Sequence, residues 1–180
     1  FFWDVGVLTL LLTLMLLNWG SMENHVRLSY LWLCGMCLHQ LEEYWVPGGF
    51  VWGFNLVLQS NDPKRYPGNR LSASSSDVII MLLTTPLLVF HCTPWLAAVF
   101  AIFGVAEIVV HSIFSIYIFC KYRNNGKTTP YFPGDATCFF IFVPTSIVLF
   151  RELLTNQLLT SAGWWSATIT SRWKAFPTSR

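Results

Sequence analysis

Long apolar segments joined by short polar connections most constrain what this chain can fold into. A transmembrane helix needs about 20 mostly apolar residues to cross roughly 30 Å of hydrocarbon. Hydrophobic residues make up 54% of the 180 residues and charged residues only 11%, whereas soluble domains carry about 25% charged residues. The sequence therefore predicts an all-α fold, a polytopic membrane helical bundle of about five transmembrane helices. The predicted spans are Val5–Leu17, Val26–Val46, Val78–Cys92, Trp95–Cys120 and Ala136–Phe150.

The five spans form one predicted transmembrane domain over residues 1–155, followed by an interfacial C-terminal tail over 156–180. Phe50–Leu58 is apolar but too short to span, so we expect it to lie along the interface or to re-enter the membrane, as a lid over a site. The five cysteines lie in or beside apolar segments, where buried, unpaired thiols are expected.

The polar connections predict the orientation in the membrane. Ser76 or Asp77 is expected to cap the third span after the loop Ser60–Ser76, Pro86 to kink that span, and Pro94 to begin the fourth. The loops 60–76 and 121–135 fall on one side, which the positive-inside rule makes cytoplasmic. Their cations are Lys64, Arg65, Arg70, Lys121, Arg123 and Lys127. The net charge of +2 is too small to indicate a nucleic-acid partner.

A cluster of ionisable residues stands near the end of the second span. His39, Glu42 and Glu43 lie on one helical face at 3.6 residues per turn. Each ionisable group costs roughly 2.5–3.5 kcal/mol at the centre of a membrane helix. We therefore expect these three side chains to face the interior of the bundle. Gly35, one turn earlier on the same face, would let another helix approach closely.

The fourth span carries a matching pair, Glu107 and His111, in i, i+4 register. At 1.5 Å per residue, His39 and Glu107 both lie roughly 18–20 Å from the same side, and Glu43 and His111 roughly 24–25 Å from it. The sequence therefore predicts that two antiparallel helices bring these four side chains to one depth. His91, on a span running the other way, falls closer to the opposite side.

These elements resemble the HXXEE-domain family of small integral membrane proteins. His39 to Glu43 matches the naming motif, His111 fits a later family histidine, and a Tyr-x-Pro-Gly-x-x-Thr element follows in Tyr131, Pro133, Gly134 and Thr137. The resemblance implies a membrane enzyme whose substrate is unknown. Two positions depart from the family pattern: Glu107 stands where the family usually has Asn, and Asp77 is the nearest counterpart of an Asn expected early in the third span.

Imidazole and carboxylate groups together favour a metal site. Histidine nitrogen and carboxylate oxygen suit zinc or iron, and two carboxylate-bearing helices can also hold two irons. The predicted catalytic carboxylates are Glu42, Glu43 and Glu107. The predicted metal ligands are His39, Glu43, Glu107 and His111. We expect a metal-dependent membrane enzyme whose substrate is a lipid or another apolar small molecule.

Two other functions account for the same residues. Close carboxylates beside a histidine can share protons, so a metal-free acid–base isomerase or cyclase is one alternative. The other is a non-catalytic accessory subunit of a larger membrane complex, in which buried His–Glu pairs only fix the helices. Tyr131, Asp135 and Thr137 could hydrogen-bond the site residues from the start of the fifth span, or Asp135 could simply cap that helix.

Overall fold

The computed structural model describes residues 2–159, and every regular element in that range is helical. The predicted all-α architecture is therefore confirmed. The elements, in chain order, are α1 (Phe2–Asn18), α2 (Asn24–Tyr44), α3 (Phe50–Val57), α4 (Arg70–His91), α5 (Pro94–Tyr122), a 3₁₀ turn (Arg123–Asn125), α6 (Asp135–Thr137), a π-helical segment (Cys138–Phe142) and α7 (Val143–Thr155).

Helix α2 lies at the centre of the bundle, where it packs against α1, α4, α5 and α7. Its buried residues include apolar side chains such as Leu33 and Cys37, and also the ionisable His39, Glu42 and Glu43. Because neighbouring helices enclose α2, these polar groups face protein and not the surroundings. The predicted inward orientation of the cluster is confirmed.

Three helical stretches are long and apolar enough to cross a membrane: Leu71–His91, Pro94–Asn125 and Asp135–Thr155. Helix α1 is apolar but shorter, and the 21-residue α2 is less apolar because its buried face carries ionisable groups. The outer surface of the bundle is rich in large apolar side chains, which matches a lipid-facing surface. Examples are Leu83, Phe90, Ile116, Phe140 and Ile147.

Helix α4 begins earlier than predicted. The expected cap at Ser76 or Asp77 is wrong, since Asn69 caps the helix in a reciprocal capping box with Ser72. The Asn69 side chain accepts a hydrogen bond from the Ser72 amide at 2.9 Å, which satisfies a backbone donor that would otherwise be unpaired. The second half of the predicted loop is therefore helix. Pro94, by contrast, begins α5 as predicted, with Thr93 as its cap.

The loop before α4 is held on α3 by one buried side chain. Asn55 is completely buried; its amide nitrogen donates to the carbonyls of Pro63 and Gly68, and its oxygen accepts from the Gly68 amide at 2.8 Å. These three bonds replace the water that the loop backbone would otherwise require. The short α3 is thereby fixed beside the ends of α2 and α4.

The helical stretch Asp135–Thr155 comprises α6, the π-helical segment and α7, and is called the last helix below. It packs closely on the polar face of α2. A Cβ atom at Gly35 would lie 2.5 Å from Cγ2 of Ile141, so only glycine permits this approach. The helix runs to Thr155, a little beyond the predicted end at Phe150. Residues 160–180, most of the predicted interfacial tail, lie outside the described residues.

Candidate metal centre

Two helices each contribute a histidine and a glutamate to one buried cluster. His39 and Glu43 are one turn apart on α2, and Glu107 and His111 one turn apart on α5. The Nε2 atoms of His39 and His111 lie 3.3 and 3.2 Å from Oε1 of Glu43. They lie 3.9 and 3.7 Å from Oε2 of Glu107. The predicted convergence of these four side chains is confirmed; their chemical roles stay predictions.

The separations between donor atoms match those around a tetrahedral metal. Ligand atoms 2.0–2.2 Å from a central zinc ion stand about 3.3–3.6 Å apart at the corners of a tetrahedron. The four His–Glu separations here run from 3.2 to 3.9 Å. These four separations are compatible with an ion between the donors.

A hydrogen bond fixes the orientation of the His39 ring. Its Nδ1 lies 2.8 Å from Oγ1 of Thr137, and that hydroxyl donates to Oε2 of Glu42 at 2.7 Å. Because the single hydroxyl proton goes to the carboxylate, the Thr137 oxygen accepts from Nδ1–H of His39. The lone pair of His39 then resides on Nε2, which faces Glu43 and Glu107. This arrangement is typical of metal-ligating histidines.

An acidic side chain in the same turn lies beside His111. Its Nδ1 lies 3.6 Å from Oδ1 of Asp135, while Oδ2 of Asp135 accepts hydrogen bonds from the Ser115 hydroxyl and the Phe132 amide. The histidine therefore turns Nδ1 toward an acceptor and Nε2 toward the two glutamates. The predicted hydrogen bond of Thr137 with His39 is confirmed, whereas Asp135 lies near His111 without a hydrogen bond to it. The cap at this helix start is Gly134, so the simple capping role expected for Asp135 is wrong.

The electrostatics of the cluster fit a bound cation. With Nδ1 of His39 protonated, its Nε2 directs a lone pair at the carboxylate of Glu43, and two acceptors repel each other. Among the described residues, neither ring nitrogen of His111 nor Oδ1 of Asp135 has a hydrogen-bond partner. Buried polar atoms are rarely unpaired in proteins. A divalent metal between the four donors would convert this repulsion into attraction.

Gly134 brings the last helix against both imidazoles. It has φ +102° and caps the helix start, directly beside the two rings. A Cβ atom here would collide with Cε1 of both His39 and His111. In the sequence, Gly134 stands out as the glycine of the Tyr-x-Pro-Gly-x-x-Thr element. The sequence alone does not show which residues this glycine approaches.

Glu42 lies outside the four-donor cluster and joins α2 to the last helix. Its Oε1 accepts from the Tyr131 hydroxyl at 2.8 Å and the Ala136 amide at 3.0 Å. Its Oε2 accepts from the amide and hydroxyl of Thr137. These amides belong to the first turn of the helix, where a carboxylate is favoured by the helix dipole. Both carboxylate oxygens are therefore satisfied by protein donors.

Cys138 offers an alternative donor on the opposite edge of His39. Its Sγ lies 3.9 Å from Nδ1 of His39, and His39, His111 and Cys138 form a buried group whose donor atoms lie within 4.8 Å of one another. This group could hold a metal ion. However, ligation through Nδ1 of His39 would break its bond to Thr137, so the four-residue set on the Nε2 side is chemically favoured. Sequence reasoning treated Cys138 only as a buried thiol.

Aromatic rings enclose the cluster on several sides. Phe50 of α3 stacks on His111 with 5.6 Å between ring centroids, Phe132 lies 5.9 Å from His111, and Phe142 lies 5.2 Å from His39. The predicted covering of the site by α3 is thereby confirmed. Glu107 is the most exposed of the four donors, with 22% of its side chain accessible. The cluster is therefore least enclosed on the Glu107 side.

The other two histidines do not join the cluster. His91 is exposed at the end of α4. His25, near the start of α2, is buried, and its Nδ1 lies 3.3 Å from Oε2 of Glu23.

A family model described as a protein of unknown function with an HXXEE motif matches residues 30–149, which is 120 of the 180 residues. The chain belongs to this HXXEE family. In its motif, His39 and Glu43 are two of the four converging donors, while Glu42 joins α2 to the last helix. No curated protein and no solved structure matches the chain.

Proposed function

We propose that this HXXEE protein is a metal-dependent membrane enzyme acting on a lipid or another apolar molecule. One observation carries the proposal: two histidine nitrogens and two glutamate oxygens from α2 and α5 face one another at 3.2–3.9 Å inside the bundle. Ionisable groups buried in an apolar protein are costly, and function is their usual reason. The hydrogen bond that orients Nε2 of His39 favours a metal over a purely structural cluster.

His39, His111 and Glu43 form the closest ligand set, because both histidines lie nearer to Glu43 than to Glu107. Three protein ligands with a remaining open position are typical of catalytic zinc sites. Glu107 lies farther from both histidine nitrogens than Glu43 does, and it is partly exposed. In this proposal it is a fourth ligand or the general base. Glu42 is then a positioning residue that acts through Thr137 and His39.

Zinc and iron both suit two imidazoles and one or two carboxylates. When bound, such an ion would supply Lewis acidity toward a substrate carbonyl or a water molecule. The protein would supply the rest: Glu107 can hold a proton beside the centre, and Phe50 and Phe142 exclude water from the imidazole side. An apolar substrate is supported by the apolar exterior, from which it would enter laterally.

The orientation of the protein in the membrane is part of this proposal. The six cations of the loops 60–76 and 121–135 favour a cytoplasmic location for both loops. The cluster lies in the last two turns of α2, close to the end that leads into α3. The centre would then lie beneath the cytoplasmic face.

Metal analysis of the purified protein tests the proposal. We expect about one or two equivalents of zinc or iron in the unchanged chain, and loss of that metal in His39→Ala and His111→Ala. His91→Ala is the matched control, since it removes an exposed histidine distant from the centre and should retain the metal. Absence of stoichiometric metal from well-folded protein expressed with zinc and iron would overturn the proposal.

A structural role is the second candidate, and the four hydrogen bonds of Glu42 favour it, because they tie α2 to the last helix. An accessory subunit would co-purify at fixed stoichiometry with a larger membrane complex and contain no metal. A metal-free isomerase or cyclase would instead convert an apolar substrate even after a chelator has removed all metal, and its rate would depend on pH. The same preparations distinguish these outcomes.

A further inference from the structure

A cavity lies beside the four-donor cluster, with Phe50 of α3 in contact with both. Its volume is about 240 Å³, and it lies between the end of α2, helix α3 and the first turns of α4. Whole small-molecule pockets are usually about 300–1,000 Å³. This cavity is therefore large enough for the head group of an amphipathic molecule, whose tail would remain outside.

The polar end of the cavity is an acid. Asp77 is the one charged side chain among the described residues that line it. Its carboxylate has a hydrogen bond with the Tyr44 side chain, but its buried Oδ2 atom has no hydrogen-bond partner among the described residues. Leaving a buried carboxylate oxygen unpaired is costly, so the cavity favours a ligand that brings a hydrogen-bond donor. A cationic donor would also balance the charge.

The walls of the cavity are aromatic. Tyr44, Phe50 and Phe54 line it. Phe50 packs edge-to-face on Tyr44 at 6.2 Å and stacks with Phe54 at 5.9 Å between ring centroids. Ring faces attract cations, and several rings beside a carboxylate form the usual recognition site for substituted ammonium groups. A neutral hydroxyl would gain only the hydrogen bond to Asp77, and an anionic head group would be repelled by its carboxylate.

Two residues connect the cavity to the metal centre. Phe50 lines the cavity and also stacks on His111 at 5.6 Å. Tyr44 follows Glu43 directly in the chain. A molecule held in the cavity would therefore be separated from the metal ligands by a single layer of side chains.

We propose that this cavity binds the alkylammonium head group of an amphipathic molecule, with Asp77 as counter-ion and Tyr44, Phe50 and Phe54 as the aromatic walls. That the bound molecule is the substrate of the metal centre rests on the proposed function. The binding itself does not, because none of the cavity-lining residues named here belongs to the four-donor cluster.

Calorimetric titration with decylammonium and decanol tests the assignment, using chelator-dialysed protein in a neutral detergent. The two probes share one tail and differ in the charge of the head group. We expect decylammonium to bind about tenfold more tightly than decanol. This difference in affinity is what a charge-assisted hydrogen bond beside aromatic rings typically contributes. Asp77→Asn should abolish this preference. Asp62→Asn, which removes an exposed loop acid, should preserve it.

A second variant keeps the test decisive if Asp77→Asn does not fold. Phe54→Leu removes one ring but retains an apolar wall, so it should weaken decylammonium binding several-fold and leave decanol binding unchanged. Equal affinity for both probes in the unchanged protein, or an undiminished preference in folded Asp77→Asn or Phe54→Leu, would overturn the assignment. Ammonium binding in a protein that holds no metal would support the cavity and refute only its link to a metal enzyme.

Discussion

Oε1 of Glu43 lies 3.2 Å from Nε2 of His111, on the neighbouring helix, and 3.3 Å from Nε2 of His39, on its own. One carboxylate oxygen thus meets an imidazole from each of two helices. Glu107 approaches the same nitrogens at 3.7 and 3.9 Å and is more exposed. The two glutamates therefore differ in their distance from the histidines and in their burial, although both belong to His–Glu pairs in i, i+4 register.

This inequality predicts different effects of the two amide substitutions. Glu43→Gln removes the charge nearest both histidines, so we expect metal affinity to fall by more than about 100-fold, beyond the usual effect of an outer-shell change. Glu107→Gln should reduce affinity less, by roughly tenfold, because its oxygen is more distant from both histidines and less buried. Competition with a chromogenic chelator measures both constants. Equal losses in the two variants would contradict the assignment of Glu43 as the closer ligand.

Thr137 should control metal affinity without touching the metal. Thr137→Val keeps the shape of the side chain but removes the oxygen that accepts from Nδ1 of His39. We expect a loss of about 10–100-fold in metal affinity. Thr137→Ser retains the hydroxyl and should restore most of it. The absorption spectrum of the cobalt-substituted protein reports the arrangement of the metal ligands. If Thr137→Val and Thr137→Ser shift this spectrum by the same amount, the hydroxyl does not orient His39.

The convergence of the four donors could be predicted because it depends on local geometry. Helical spacing places His39 with Glu43 and Glu107 with His111, and the rise per residue gives their depth. Neither argument requires knowledge of side-chain packing. The unequal distances of the glutamates arise only from the packing of α2 on α5, and no sequence pattern contains that information.

The error at the start of α4 has an equally specific cause. The start of α4 was placed too late because the Ser-rich stretch after Asn69 reads as a loop, whereas the capping box with Ser72 stabilises helix there. The prediction that groups Glu42 with the catalytic acids stays a prediction, and it rests on the helical face that Glu42 shares with His39. The engagement of Glu42 by the first turn of the last helix depends on a tertiary contact with Ala136 and Thr137.

Gly134→Ala should destabilise the protein and disturb the metal centre together. The substitution strains a left-handed backbone and drives a methyl group into the rings of His39 and His111. We expect about 2–4 kcal/mol less free energy of unfolding, from strain plus overpacking. Gly126→Ala is the matched control: φ is +95° but nothing lies within 4 Å, so only about 1 kcal/mol of strain remains. Denaturant titration in micelles measures both, and equal losses would show that the ring contact is unimportant.

Alkaline pH should weaken the attachment of the last helix through Tyr131. Burial, together with the hydrogen bond to the Glu42 carboxylate and its negative charge, raises the pKa of the Tyr131 phenol above its usual range. A raised pKa means that the folded state favours the protonated phenol, so its contribution to stability is complete below about pH 10, the pKa in the unfolded chain. That contribution is lost as pH rises above this value toward the folded-state pKa.

Tyr131→Phe should therefore be less stable than the unchanged protein at pH 8 but lose less stability between about pH 10 and 12. Thermal unfolding in detergent across this range measures the difference, with Tyr66→Phe, an exposed loop tyrosine, as control. Parallel pH profiles for the Tyr131→Phe variant and the unchanged protein would show that the phenol does not donate to Glu42.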